Sequence, residues 1–261
     1  MKIKDALELA RKNGLPDLEA HIIIRFISGK SKEFIISHPN FEIDDEKFLK
    51  LIEKRKNGYP IQYIVKGKEF YKNWFYVDEG VLIPRQETEL LVEKAIEFIE
   101  KYNVKKIAEI GVGSGAIIIS ILIETKTIGF GTDISDKAIE ITKINAKRFK
   151  VEDRLFIKKG PFLEPFVENY NDIELIISNP PYVREDAILP REVLWEPKEA
   201  LYAGKDGLEF YRKFLNMYDL SGKIVLMEIG HDQGDFFRKL GWNVIKDYSN
   251  NDRIAIFIDR R

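Results

Sequence analysis

From residue 105 the chain alternates between short apolar runs and amphipathic segments. No other feature narrows the possible folds as far. KKIAEIGV (105–112), IGFGTDI (128–134), RLFIKKG (154–160), IELIIS (173–178) and GKIVLMEIG (222–230) have the length and apolar density of buried strands. SGAIIISILIE (114–124), DKAIEITKINAKRF (136–149), DGLEFYRKFLNMY (206–218) and HDQGDFFRKLG (231–241) read as helices between or after them. Repeated strand–helix–strand units imply an α/β fold with a doubly wound, mostly parallel sheet. NVIKDYS (243–249) and RIAIFID (253–259) close it as a hairpin around Asn250 and Asn251. That hairpin adds an antiparallel edge and brings the strand count to seven.

The first part of the chain has a different pattern. Residues 1–60 read as short helices, punctuated by Gly14, Pro16, Gly29 and Gly58. Ile3, Leu7 and Ala10 lie on one stripe of the first helix. Residues 61–83 alternate apolar and polar around Lys72 and Asn73, the signature of a β-hairpin linking two domains. Thr88 then opens an amphipathic helix, so residues 84–261 are read as the main domain.

Bulk properties exclude several classes. The 261 residues include no cysteine, so disulfides, thiolate metal sites and a cysteine nucleophile are absent. His21, His38 and His231 are far apart in sequence, which argues against a histidine metal site; no metal is expected. The longest apolar run (116–123) has eight residues, against the roughly 20 needed to span a bilayer. With no signal-peptide core at the N-terminus, a cytoplasmic protein with no membrane partner is expected. Residues 1–77 carry 15 Lys and Arg against 11 Asp and Glu, a net of +4 within a chain of net −1. Neither part is basic enough to require nucleic acid as the direct substrate.

The chemistry is concentrated at two strand ends. AEIGVGSGA (108–116) joins the first strand of the sheet to its helix, and Gly111, Gly113 and Gly115 allow a tight turn that approaches a ligand closely. Val112 and Ser114 complete the turn. Asp133 ends the next strand, 20 residues after Gly113, where a carboxylate accepts hydrogen bonds from ribose hydroxyls. The pattern specifies a nucleoside cofactor but not which one, since Gly111, Gly113 and Ala116 also fit a dinucleotide fingerprint. Glu109 favours a cofactor bearing an amine; a charge closing a strand is its other reading.

Asn179-Pro180-Pro181-Tyr182 follows the fourth strand directly. Asn179 offers a side-chain carbonyl. Pro180 and Pro181 lack N–H groups, and Pro181 biases Pro180 towards an extended conformation, so the Pro180 carbonyl is held rigidly. Two acceptors together grip the two hydrogens of an NH2 group, and the Tyr182 ring suits its flat face. A simple turn after a strand is the bland alternative. The combination points to methyl transfer onto an amide or amino nitrogen.

With these residues in place, the chain resembles the protein-(glutamine-N5) methyltransferases that modify peptide-chain release factors. The similarity runs through PIQYI (60–64), GKEFYKNWFYVDEGVLIPRQETELLVEKA (67–95), EIGVGSGAI (109–117), DISDKAIEITKINA (133–146), SNPPYV (178–183), EPKEALYAGKDGLEFYR (196–212), EIGHDQG (228–234) and NNDRIAIF (250–257). The resemblance implies a class I methyltransferase-like, Rossmann-like domain preceded by a helical substrate-docking domain. It implies S-adenosyl-L-methionine as methyl donor and a class I release factor as partner, methylated on the glutamine of a Gly-Gly-Gln motif. Carried over, Glu109, Gly111 to Gly115, Asp133, Phe162 and Asn179 hold the cofactor. Asn179, Pro180, Pro181 and Tyr182 hold the glutamine, with Asn179, Pro180 and Tyr182 as the catalytic set. Arg85, Glu87 and Glu89 border the cleft or cap a helix. Pro161 stands where such sequences carry an acid, which removes the usual contact to the adenine amino group and leaves Glu164 or backbone to replace it. The alternative activity is N6-adenine methylation of DNA or RNA, whose acceptor is also a planar NH2. A dinucleotide oxidoreductase and a non-catalytic nucleoside sensor are the remaining readings.

Overall fold

The computed structural model describes residues 1–259, so the last two residues of the expected 84–261 domain lie outside it. The chain forms two compact units. One contains residues 1–67 with 189–195; the other contains 68–188 and, of the described residues, 196–259.

The smaller unit is built from helices α1 (Ile3–Lys12), α2 (Asp17–Ser28), α3 (Lys32–Ser37), α4 (Asp45–Lys56) and α5 (Ile61–Val65). α1 buries Ile3, Ala6 and Ala10, with Leu7 only half-buried, because i, i+3, i+7 spacing selects that stripe. Ser31 caps α3 and Asp44 caps α4, each accepting the backbone N–H three residues on. Gly29, at φ 65°, ends α2 in the left-handed conformation. α3 and α5 were not expected from the sequence; at six and five residues they are too short to show a period. The Arg55 guanidinium reaches Glu19 at 2.7 and 2.8 Å and also bonds Glu192. This planar fork holds residues 189–195 in the helical unit.

The larger unit begins with strands β1 (Lys68–Phe70) and β2 (Asn73–Phe75). Their turn is Tyr71-Lys72, both at positive φ (44° and 67°), one residue earlier than the expected Lys72-Asn73. Phe70 and Phe75, fully buried, join the main core of this unit. After a single 3-10 turn at Gln86–Thr88 come α6 (Glu89–Tyr102), β3 (Lys106–Ile110), α7 (Ala116–Glu124), β4 (Ile128–Asp133), α8 (Asp136–Arg148), β5 (Leu155–Lys159) and β6 (Leu175–Ser178). α9 (Glu209–Met217), β7 (Ile224–Glu228), α10 (Gly234–Lys239), β8 (Asn243–Lys246) and β9 (Asp252–Ile258) complete it. The seven strands lie in the order β5-β4-β3-β6-β7-β9-β8, parallel except at β9, which runs against both β7 and β8. The mostly parallel sheet with an antiparallel edge is therefore as the sequence implied.

Side chains alternate across this sheet with the strand period of two. Ile107, Leu175, Ile177, Leu226 and Ile256 join one core with α6 and α7. Ala108, Ile110, Ile176, Val225 and Met227 join the other with Tyr211 and Phe214 of α9 and Phe237 of α10. Both faces are thus covered, which is why these strands read as continuous apolar runs rather than as alternating ones. No described helix is long and apolar enough to cross a membrane.

The strand order reverses at β3. From β3 the chain winds outwards to β4 and β5, then returns to place β6 on the other side of β3. A crevice opens beyond the carboxyl ends at such a switch point, and ligands bind there. Asn145 of α8 ties the walls of this region together. Fully buried, it donates to Tyr76 O (2.9 Å) and Ser114 O (2.8 Å) and accepts from Tyr76 N–H (2.9 Å). Asn145→Ala leaves those three backbone groups without their partner. We expect a loss of about 3 kcal/mol, summing unsatisfied buried groups, read as a lower urea midpoint. An unchanged midpoint would show that the Asn145 bonds carry no net stability.

Candidate active site

β3 ends at Ile110, and the chain turns through Gly111 (φ 77°), Gly113 (φ 54°) and Gly115 (φ 78°) into α7. The three glycines act differently. A Cβ at Gly111 or Gly113 would meet open space, so their need is the left-handed backbone, and the uncovered surface is free to be approached. A Cβ at Gly115 would come within 2.7 Å of Ile119 and 2.8 Å of Thr142, so there the packing itself excludes a side chain.

Asp133, at the end of β4, faces this turn. Its Oδ2 accepts from Gly113 N–H and its Oδ1 from Ser135 N–H, both at 2.9 Å. Burial raises its carboxyl pKa, opposed by the N–H groups of Ser135, Gly113 and Ile134. A carboxylate has about four lone-pair directions, so each oxygen keeps capacity for a ligand hydroxyl. Glu109 is only 1% exposed. Gly115 stands at the N-cap of α7 without a side chain, and Glu109 Oε2 does the capping, accepting from Ile118 N–H at 3.0 Å. Its Oε1 is buried with no hydrogen bond. Desolvation, with Asp133 nearby, pushes the Glu109 carboxyl well above its usual range. An arriving cation would relieve that cost.

β6 is held level with β3. Ile110 pairs with Ser178, and Ser178 Oγ donates to Ile110 O at 2.8 Å. Gly111 and Asn179 therefore leave the sheet side by side. Asn179 Nδ2 donates to Thr88 Oγ1 at 3.2 Å. Asn179 Oδ1 and the Pro180 carbonyl accept nothing from any described residue. The chain beyond is fixed by Gln233, whose Nε2 donates to Tyr182 O (3.1 Å) and Gly207 O (3.0 Å) while its Oε1 accepts from Gly230 N–H. Val183 pairs with Tyr202, which lays residues 200–204 beside the motif.

Both strand ends open into one cavity of about 380 Å³. Its lining includes Glu109, Gly111, Val112, Gly113, Ser114, Asp133, Phe162, Asn179, Pro180 and Pro181. Phe162 sits at φ 48° with its carbonyl accepting from Thr132 Oγ1, and its ring stacks on Phe210 at 5.0 Å. Five expected site residues fall elsewhere. Gly115 is packed behind the turn. Tyr182 packs its ring on the apolar core and donates its hydroxyl to Glu228 Oε1 at 3.1 Å. Arg85 pairs with Glu196, which is 4% exposed and also accepts from Ile83 N–H at 3.0 Å. Glu87 is exposed, and Glu89 accepts from Tyr71 N–H. Pro161 lines the cavity, whereas Glu164 lines a separate one. Residues that sequence reasoning did not single out include Thr88, Glu199, Ala200, Glu209 and Phe210 on the cavity wall, with Glu196 and Glu228 behind it. Their one signal was the long shared segment 196–212 and the carboxylates that interrupt apolar runs.

A family model described as the PrmC N-terminal domain matches residues 3–65, and the Methyltransferase small domain matches residues 86–204. The release factor glutamine methyltransferase of Clostridium acetobutylicum is 36% identical over 281 aligned residues, covering 99% of both chains. That of Dictyoglomus turgidum is 46% identical over 211 residues, covering 79% of this chain and 74% of its own. Among solved structures, the human METTL16 catalytic domain in complex with an RNA hairpin covers 91% of this chain and 93% of its own, with a TM-score of 0.56. At 14% identity it shows a common fold alone. On the strength of its curated relatives, this chain belongs to the release factor glutamine methyltransferase family.

Proposed function

We propose that the protein methylates the side-chain amide nitrogen of the glutamine in the Gly-Gly-Gln motif of class I peptide-chain release factors, in the cytoplasm, using S-adenosyl-L-methionine. The observation that carries this reading is the shared cavity. Two unsatisfied acceptors, Asn179 Oδ1 and Pro180 O, open onto the same space as the Gly111–Gly115 turn and Asp133. The names of the curated relatives support the release factor as substrate, and they do not favour nucleic-acid methylation.

The residues present fit the donor. Gly111 and Gly113 present a side-chain-free backbone, Asp133 keeps acceptor capacity for ribose hydroxyls, and Phe162 supplies an apolar wall for a base. Glu109 Oε1, buried and unpaired, suits an ammonium group. Bound there, S-adenosyl-L-methionine supplies an electrophilic methyl group on a sulfonium centre.

The acceptor is a poor nucleophile because an amide lone pair is delocalised into the carbonyl. Asn179 Oδ1 and Pro180 O each accept one of its two N–H hydrogens. That grip rotates the lone pair towards the incoming methyl and stabilises the positive charge that grows on nitrogen. No strong base is needed beforehand, since the proton leaves after transfer. Fixing both reactants in line supplies much of the rest, with well-oriented pairs gaining on the order of 7–11 kcal/mol. In this arrangement Tyr182 supports the grip from behind rather than stacking on the amide.

Asn179→Ala is expected to lower kcat roughly 100- to 1,000-fold while S-adenosyl-L-methionine affinity stays within a few-fold. Mass spectrometry of a purified release factor, with the methyl localised to the glutamine, is the readout. Equal loss of methylation and cofactor binding would count against the acceptor role. Asp133→Ala should instead weaken cofactor binding roughly 10- to 100-fold, as expected for charge-assisted hydrogen bonds, by calorimetry. The anion is the form that accepts from the ribose. Burial raises the Asp133 carboxyl, so wild-type cofactor affinity should be full at higher pH and start to fall above the ordinary carboxylate range on acidification. A pH-independent affinity would contradict this.

A further inference from the structure

The expected contact between a carboxylate and the adenine 6-amino group has no residue to make it. Pro161 carries no acceptor in its side chain, and Glu164 lines a separate cavity. On either side of Phe210, Glu209 and Lys213 do line the cavity. Glu209 lies against Gly204, where an added Cβ would come within 2.9 Å of Oε2, and its Oε1 is held by Lys213 at 2.7 Å. Lys213 carries donors only, which an amino group cannot use. What remains is the backbone beside Phe162.

The donors of residues 160–164 are nearly all spent. Gly160 N–H donates to Asp133 O at 2.9 Å, and Pro161 has no N–H. Leu163 N–H donates to the Tyr218 hydroxyl oxygen at 2.9 Å, and Glu164 N–H to Pro161 O at 3.3 Å. In this stretch only Phe162 N–H has no partner among the described residues. Phe162 stands at φ 48°, a conformation that is rare for a bulky residue and persists only where its surroundings hold it. Three contacts do so. Thr132 Oγ1 donates to its carbonyl, Tyr218 takes the next N–H, and the Phe210 ring stacks on its own at 5.0 Å. The polar group that Phe162 keeps free is therefore a donor, on a residue that walls the cavity.

We propose that Phe162 determines base specificity, its backbone N–H reading the N1 acceptor of the cofactor's adenine while the 6-amino group goes unread. A base with C–H in place of N1 covers Phe162 N–H and leaves it without a partner, which is the costly case. The 6-amino position differs. Pro161 is exposed and Gly160 half-buried, so a backbone acceptor facing that position stays in water when the amino group is absent. Selectivity for adenine then falls on one ring nitrogen. The inference rests on the functional reading above and adds to it how the base is chosen.

Calorimetric titration of the full-length wild-type protein tests it, with S-adenosylhomocysteine and two analogues altered only in the base. The 6-deamino analogue carries hydrogen in place of the amino group and should bind within about ten-fold of S-adenosylhomocysteine, since the position it empties is solvated. The 1-deaza analogue carries C–H in place of N1 and should bind roughly 10- to 100-fold more weakly, the range for stranding a covered hydrogen-bonding group. A greater loss with the 6-deamino than with the 1-deaza analogue shows that an acceptor reads the amino group, and overturns the inference. Binding of the 1-deaza analogue as tightly as S-adenosylhomocysteine overturns it as well. Neither result touches the functional reading, which fails instead if S-adenosylhomocysteine itself does not bind.

Discussion

The site depends on the pairing of β3 with β6. Ile110 stands opposite Ser178, and the Ser178 hydroxyl clamps that last rung to the Ile110 carbonyl. Because side chains alternate with a period of two, a slip of one residue would turn Ile176 and its neighbours to the wrong face of a sheet covered on both sides. The apolar cores therefore fix the register, and the register places Gly111 beside Asn179. One strand end offers bare backbone and carboxylates, the other offers unpaired carbonyl oxygens. The chemistry follows from bringing these two ends level at the point where strand order reverses.

Three carboxylates surround this junction, and all are partly or fully withdrawn from water. Burial raises the pKa of each: Asp133, Glu109 and Glu228. Their oxygens are divided between holding the protein and facing a ligand. Glu109 caps α7 with one oxygen and leaves the other unmatched; Glu228 holds Tyr182 with one and leaves the other unmatched as well. Buried polar groups without partners are uncommon in folded proteins. Among the described residues, the two buried carboxylate oxygens that lack hydrogen bonds both belong to residues next to the cavity or its wall. For Glu109, which lines the cavity, the cost of an unmatched oxygen is consistent with preorganisation for a bound cation.

Much of this was legible in the residues. The five apolar runs and the final hairpin were enough for the sheet, because strands buried on both faces leave an unbroken apolar signal. Gly111, Gly113, Asp133 and the Asn179 motif were legible because each sits at a strand end, where topology forces convergence. Other features were hidden for physical reasons. Helices α3 and α5 span under two turns and show no period. The alternation at 61–83 revealed a hairpin but not that Phe70 and Phe75 would be buried in the larger unit's core. Tyr182 was expected on the acceptor's flat face; a distant carboxylate at the end of β7, unseen from local sequence, draws its hydroxyl away. Thr88 looked like an ordinary helix start, and only the fold reveals that its hydroxyl serves Asn179 instead.

The central claim is that a side-chain oxygen and a proline-held peptide oxygen grip the glutamine carboxamide beside the nucleoside cofactor. A crystal structure of the protein with S-adenosylhomocysteine and a Gly-Gly-Gln peptide tests it most directly. The account predicts the glutamine nitrogen within hydrogen-bonding distance of both Asn179 Oδ1 and Pro180 O, with the nucleoside against Gly111–Gly115 and Asp133. A glutamine side chain bound elsewhere, or held through its oxygen by Asn179 Nδ2, would contradict it.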